Sequence, residues 1–255
     1  MAALRALVAA SALHAAGALL ATSPGAGERV QVRVYGEAGC KFTREYLAGP
    51  VREALADPAT VEAMDFDFSP FGNAFYATKR CLAAADPSES SGSGCGGGGL
   101  YSSGARSCFN AMCGPGVADR PEECFTGPLV CQHGIKECVF NRYFACAKHV
   151  ARASSAGARR YMPFVLCMAD GYPDTPGGDP FLSLLAACSN ASGLESESLQ
   201  SCYRGDAGRR ALAAEAASTP VHPGVPWVTV NGYALEESYE RLGLRAAVRI
   251  AQAQA

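Results

Sequence analysis

One cysteine of this chain stands where a thiol can do chemistry. Cys40 follows a run of alternating apolar and polar residues, VQVRVY at 30–35, and the break GEAG, and it opens a stretch with helical spacing. The start of a helix presents unpaired N–H groups and partial positive charge, which favour thiolate over thiol and lower the pKa. Lys41 and Arg44 add positive charge nearby. A nucleophilic sulfur is the chemistry this predicts, and the plain alternative is that Cys40 is half of an ordinary disulfide. Val225-Pro226-Trp227 is a second feature, a proline entering a strand just before a hairpin signal. X-Pro bonds tolerate the cis form in such turns, although spacing alone favours a trans proline on an edge strand. A third is Cys131-Gln132-His133-Gly134, followed by Glu137-Cys138, Asn141 and Cys146. Cys131, His133 and Cys138 are residue types that suit zinc, and His133 could serve Cys40 as a general base. No second ligand pair at finger-like spacing accompanies them, so the expectation is a disulfide-rich loop with no metal and no cofactor.

The elements needed to hold these residues read as α/β at the two ends and helical in the middle. Strand 30–35 leads to a helix from about 40, with Gly49-Pro50 predicting a kink or break. A second strand, MDFDFS at 64–69, ends at Pro70-Phe71-Gly72-Asn73. The stretch 86–124 is rich in glycine and serine and is expected to be an irregular surface insertion cross-linked by its cysteines. Helices follow between 135 and 199, with Cys138, Cys146, Cys167, Cys188 and Cys202 in or just after them. An alanine-rich helix at 207–217, a strand at 227–230, an Asn231-Gly232 hairpin and an amphipathic helix at 236–252 complete the chain.

Composition sets the compartment. The chain has 255 residues, 12 cysteines and a formal net charge of −2, enough length for a sizeable core and no electrostatic footprint for nucleic acid or an anionic membrane. Twelve cysteines point to disulfides and an oxidising lumen. The apolar run at 6–21 is shorter than the roughly 20 residues of a membrane span. It reads as a signal peptide, assigned to residues 1–26, with cleavage between Ala21 and Gly27 and a domain at 27–255 free of membrane spans. Asn190-Ala191-Ser192 is the one glycosylation sequon.

YGEAGCKFTREYL, DFDFSPFGNA, CQHGIKECVFNRYFACA and VPWVTVNG occur in this order, and together they resemble the gamma-interferon-inducible lysosomal thiol reductase family over about 30–234. The resemblance implies a thioredoxin-like fold with a disulfide-rich helical insertion at 135–204. It implies a lysosomal or secreted oxidoreductase that reduces protein disulfides, at acidic pH in the best-known members. Pro226 would be a cis-proline facing the nucleophile. In that reading Cys40, Thr43 and Pro226 are catalytic, while Lys41, Phe42 and Val225 meet the substrate.

The chain departs from the family at one position. Cys40-Lys41-Phe42-Thr43 stands where CxxC is usual, so Thr43 replaces the resolving thiol that would release a mixed disulfide. Release then calls for an external thiol such as glutathione, or for another cysteine, with Cys95 and Cys108 as the candidates. If Cys40 is free, the other 11 cysteines cannot all pair within the chain, and CFNAMC at 108–113 would allow a local loop. The expected partners are disulfide-containing proteins and an external thiol reductant. The alternatives are a thioredoxin-like binding module that has lost catalysis, and a structural scaffold in which Cys40 is itself disulfide-bonded.

Overall fold

The computed structural model describes residues 29–83, 101–152, 160–174, 178–235 and 243–254. The expected signal peptide lies outside them. Strand β1 (Val30–Tyr35) turns Val30, Val32 and Val34 inward, as its alternation requires. Helix α1 (Lys41–Tyr46) begins one residue after Cys40, whose own backbone is extended (φ −71°, ψ 121°). The predicted break at Gly49-Pro50 is a π-helical turn, Leu47–Val51, between α1 and α2 (Arg52–Ala56). Proline lacks the N–H that the regular ladder needs, and the wider turn takes up the mismatch. Helix α3 (Pro58–Ala63) then returns the chain to β2 (Met64–Ser69), which pairs parallel with β1 from Val30↔Met64 to Tyr35↔Ser69.

The other side of β1 is taken by a strand from the far end of the chain. Strand β5 (Trp227–Val230) runs antiparallel to β1, with Val32 opposite Val230 and Tyr35 opposite Trp227, and follows a cis Val225–Pro226 bond. Asn231 (φ 50°) and Gly232 (φ 83°) turn it tightly into β6 (Tyr233–Ala234). Positive φ at both turn residues is what an Asn-Gly hairpin supplies. The sheet order is β2-β1-β5-β6, and the last helix, α11 (Leu244–Ala253), packs Leu244 and Val248 into the core against it. A parallel βαβ unit joined to an antiparallel ββα unit, with the cis-proline entering the third strand of the sheet, is the thioredoxin-like fold. The predicted start of the closing helix at 236 falls outside the described residues.

Between β2 and β5 lies the helical part. Strands β3 (Phe75–Tyr76) and β4 (Leu129–Val130) form a separate antiparallel pair. Around it sit α4 (Lys79–Leu82), α5 (Ser103–Cys113), α6 (Ile135–Arg152), α7 (Met162–Gly171), α8 (Asp179–Ser192), α9 (Ser196–Arg204) and α10 (Asp206–Ser218). Disulfide Cys146–Cys202 ties α6 to α9, Cys167–Cys188 ties α7 to α8, and Cys81–Cys108 ties α4 to α5; Cys113–Cys124 and Cys131–Cys138 close shorter loops.

The stretch 86–124 differs from the expected irregular surface insertion. Its described part contains α5, capped by the Ser102 hydroxyl accepting from the Ala105 N–H. Ala105, Phe109 and Cys113 recur every fourth residue and are buried in a second core with Phe71, Phe75 and Tyr76. Glycine content masked that short periodic run. The local Cys108–Cys113 loop is also corrected, because the two cysteines lie on one helix and pair with Cys81 and Cys124.

Candidate active site

Cys40 is the free cysteine among the described residues. Cys95 lies outside them. The scaffold reading, which required Cys40 to be disulfide-bonded, is thereby overturned, and Cys108 is withdrawn as a resolving thiol because it is bonded to Cys81. Cys131 and Cys138 are bonded to each other, so a metal site built on them is excluded too.

The fold brings the cysteine and the cis-proline together. Cys40 Sγ lies 3.6 Å from the carbonyl oxygen of Val225, the residue before Pro226. Thr43 is fully buried one turn into α1, and Gly36 leaves room for it, since a Cβ there would come within 2.5 Å of Thr43 Cγ2. Phe42 is 60% exposed beside Cys40, an apolar side chain open to solvent. Lys41 points to solvent and pairs with Glu45 at 3.6 Å.

The thiol itself differs from expectation. Only 3% of Cys40 is exposed, and burial pushes its pKa up rather than down. The Thr43 N–H and hydroxyl oppose this, Glu37 adds to it, and the Phe42 N–H opposes it. The helix N-terminus therefore acts as the sequence predicted, but loss of water outweighs it.

The CQHG motif reaches the same place from α6. Glu137 Oε2 accepts from the Gly39 N–H at 3.1 Å and from His133 Nδ1 at 2.5 Å. Asn141 Oδ1 accepts from the Ala38 N–H at 2.8 Å, and Gln132 Oε1 accepts from Asn73 Nδ2 at 2.6 Å. The Asn73 N–H donates to Glu37 Oε2 at 2.7 Å. Arg44 donates to the carbonyls of Ala38 and Gly39, closing the loop from the α1 side. Gly39 has no room for a side chain, because a Cβ would lie 2.2 Å from Glu137 Oε2 and 2.6 Å from His133 Cβ. The motif is thus a clamp on the three residues before the nucleophile. His133 is committed to Glu137 and Glu37, which corrects its reading as a base for Cys40.

Glu37 joins this cluster, a placement that the sequence reading missed. It is fully buried, its Oε1 lies 3.4 Å from His133 Nδ1, and burial followed by the Glu137 charge pushes its pKa well above the usual carboxylate range. Burial works to lower the His133 pKa, yet its hydrogen bond to Glu137 and the charges of Glu137 and Glu37 outweigh this and raise it. The donor atoms of Glu37, His133 and Glu137 all lie within 4.8 Å. Glu37 Oε2 and Glu137 Oε2 already accept from N–H donors, whereas Glu37 Oε1 and His133 Nε2 are without a hydrogen-bond partner. An acidic residue three positions before Cys40 was the available signal, but only the fold shows that α6 meets it.

Comparison with known proteins agrees with the motif. Residues 117–191 match the family model of gamma interferon inducible lysosomal thiol reductase. The resemblance read from the residues holds over that stretch, which contains the CQHG motif and not Cys40. A "Gamma-interferon-responsive lysosomal thiol protein" of Arabidopsis thaliana is 32% identical over 116 residues, a match spanning 44% of this chain and 43% of that protein. The matched part is less than half the length of that relative. Among solved structures, the MdbA protein of Corynebacterium diphtheriae, a thiol-disulfide oxidoreductase, is similar with a TM-score of 0.41 and 11% identity, covering 88% of this chain and 83% of that one.

Proposed function

We propose that this protein is a thiol reductase that reduces protein disulfides through Cys40 alone. The observation that carries the reading is a free cysteine at the start of α1, 3.6 Å from the carbonyl before a cis-proline. In the first step the Cys40 thiolate attacks one sulfur of a substrate disulfide. A Cys40–substrate disulfide forms, and the other substrate sulfur leaves as thiolate and takes a proton from water. A small external thiol of the glutathione class then attacks Cys40 Sγ and releases the second substrate thiol. A second external thiol attacks the resulting Cys40 disulfide, restores the Cys40 thiolate and departs as oxidised reductant. Two external thiols supply the two electrons that the substrate gains.

Thr43 supports the first half of this cycle and not the second. Its N–H and hydroxyl favour the thiolate, but a hydroxyl cannot displace a sulfur. Pro226 and Val225 line the face where substrate backbone approaches, and Phe42 supplies the exposed apolar contact. Five disulfides among the described residues suit an oxidising compartment. No described helix is long and apolar enough to cross a membrane. Asn190 is exposed on α8, where a glycan has room. We place the protein in the secretory pathway, lysosomal or secreted, after removal of residues 1–26.

The second reading is a binding module that holds clients without turnover. The burial of Cys40 and its raised pKa favour it. The two readings part in a disulfide-reduction assay with glutathione at pH 5 and pH 7. The reductase reading expects activity in the wild type and none in Cys40→Ser. Equal background in both proteins, with client binding retained, gives the function to the binding module.

A further inference from the structure

The pair of buried carboxyl groups beside the nucleophile has a use that the reduction cycle leaves open. Glu37 sits in the loop that ends at Cys40, fully buried, with one oxygen held by the Asn73 N–H and the other, Oε1, without a hydrogen-bond partner. Glu137, equally buried, holds the Gly39 N–H and His133. Two carboxylates facing one imidazole inside a protein cannot all be charged at modest cost. Like charges in low dielectric repel strongly, and such groups share a proton instead. Glycine at 39 and positive φ at Gly72 (+56°), where a Cβ would lie 2.6 Å from Glu37 Oε2, hold the loops tightly round this cluster.

We propose that Glu37, with His133 and Glu137 holding it, is a positioning residue that stores a proton beside Cys40 and sets the pH range over which the thiol reacts. The proposal rests on the reading of Cys40 as the nucleophile. With Glu37 protonated, it adds no negative charge beside the nucleophile. When Glu37 ionises, a carboxylate appears near Cys40 and disfavours its thiolate. The other groups that face the cluster are Arg44 on α1, whose charge acts on His133, and Arg106 on α5, whose charge acts on Glu37. Tyr101 and Tyr172 stand nearby, and burial pushes both to about 12, so they remain neutral throughout. Acid pH thus keeps the site free of the opposing charge, and reactivity per thiolate-forming step falls behind as pH rises.

The test is the rate of Cys40 alkylation by iodoacetamide between pH 4 and pH 10, read by mass spectrometry of the peptide containing Cys40 in the intact full-length protein. Turnover is not needed. Wild type is expected to show a rise with pH broken by a shoulder where Glu37 ionises. Glu37→Gln removes the shoulder and alkylates about tenfold faster at pH above it, the shift expected from deleting one nearby negative charge. His133→Asn keeps the shoulder but moves it to higher pH, because Glu37 loses the cation that favours its ionised form. A shoulder deleted in one variant and displaced in the other is not what general loosening produces. A shoulder that survives in Glu37→Gln overturns the proposal. If Glu37→Gln does not fold, His133→Asn decides alone, and an unmoved shoulder overturns it. If the profiles behave as stated while disulfide reduction is absent, the reductase reading fails and the role of Glu37 stands.

Discussion

Two buried polar clusters lie toward opposite ends of α6, and they are built on different terms. At its C-terminal half, Lys148 Nζ reaches Asp67 at 3.0 Å, Glu215 Oε1 at 2.7 Å and the Phe68 carbonyl at 2.8 Å. Tyr161 donates to Asp67 Oδ1 at 3.1 Å and accepts from the Phe68 N–H at 2.8 Å. Each donor there meets an acceptor, and the cluster pins β2, α6, α10 and the residue before α7 together. At the N-terminal end the Glu37, His133 and Glu137 group is different. Glu37 Oε1, His133 Nε2 and Asn141 Nδ2 are all buried without a hydrogen-bond partner. A saturated network fixes structure, whereas unsatisfied polar groups cost free energy and are kept where chemistry needs them. The same helix therefore braces the sheet at one end and holds the loop before Cys40 at the other.

The largest expected effect tests the bracing end. Lys148→Met leaves Glu215 buried and Asp67 half-buried without their cation, and about 3–5 kcal/mol of stability should be lost, measured by urea unfolding. The alkylation profile of Cys40 in the folded protein should stay as in wild type. A changed profile would mean that the two clusters are one network.

His222 gives the next effect, on the margin of the end that holds the Cys40 loop. Its Nδ1–H donates to the Pro220 carbonyl at 2.7 Å, and its Nε2 accepts from Arg106 at 2.9 Å. Burial, against the Pro220 hydrogen bond and with help from Arg106, lowers its pKa to about 4. The unfolded chain, with histidine near 6.5, binds the proton more tightly, so the contribution is intact above about pH 6.5 and is lost as pH falls to about 4. Its size is at most about 3 kcal/mol. Raised pKa values at Glu37 and Glu215 act in the opposite direction. Melting temperatures across pH 4 to 7 should fall less steeply on acidification in His222→Gln than in wild type.

Gly39→Ala tests the clamp between α6 and the nucleophile loop. The added methyl meets Glu137 and His133, and about 1–3 kcal/mol of destabilisation is expected for such overpacking, together with altered Cys40 reactivity. A Gly72→Ala control strains a positive φ and crowds Glu37 without touching Glu137. The smallest structural change is Thr43→Cys, which restores a second thiol at a buried position. Turnover should rise severalfold, and dependence on external thiol should weaken, both read in the reduction assay.

Strands 30–35 and 64–69, the break at Pro50 and the Asn231-Gly232 hairpin were legible in the sequence because each is a local pattern with a local cause. Cys40 was legible as a residue type at a turn, whereas Thr43 and the cis form of Pro226 were legible only through the family resemblance, since spacing alone favoured a trans proline. Helix α5 was not, because its apolar face is only three residues, Ala105, Phe109 and Cys113, in a glycine-rich stretch, and they pack against Phe71 and Phe75 from elsewhere in the chain. The role of Glu37 was hidden for the same reason. An acid in a loop is ordinary until a second acid, Glu137, comes from 100 residues away and is buried against the same histidine. The direction of the Cys40 pKa was missed because helix position is visible in sequence and depth of burial is not.

The most direct test of the central claim is a single-turnover reaction of the wild-type protein with a disulfide-bonded peptide at pH 5, without added thiol, analysed by mass spectrometry after acid quenching. A covalent adduct of one peptide chain on Cys40 should accumulate and should disappear when glutathione is added, while Thr43→Cys should accumulate none. An adduct on another cysteine, or one that resolves in wild type without added thiol, would contradict a reduction cycle carried by Cys40 alone.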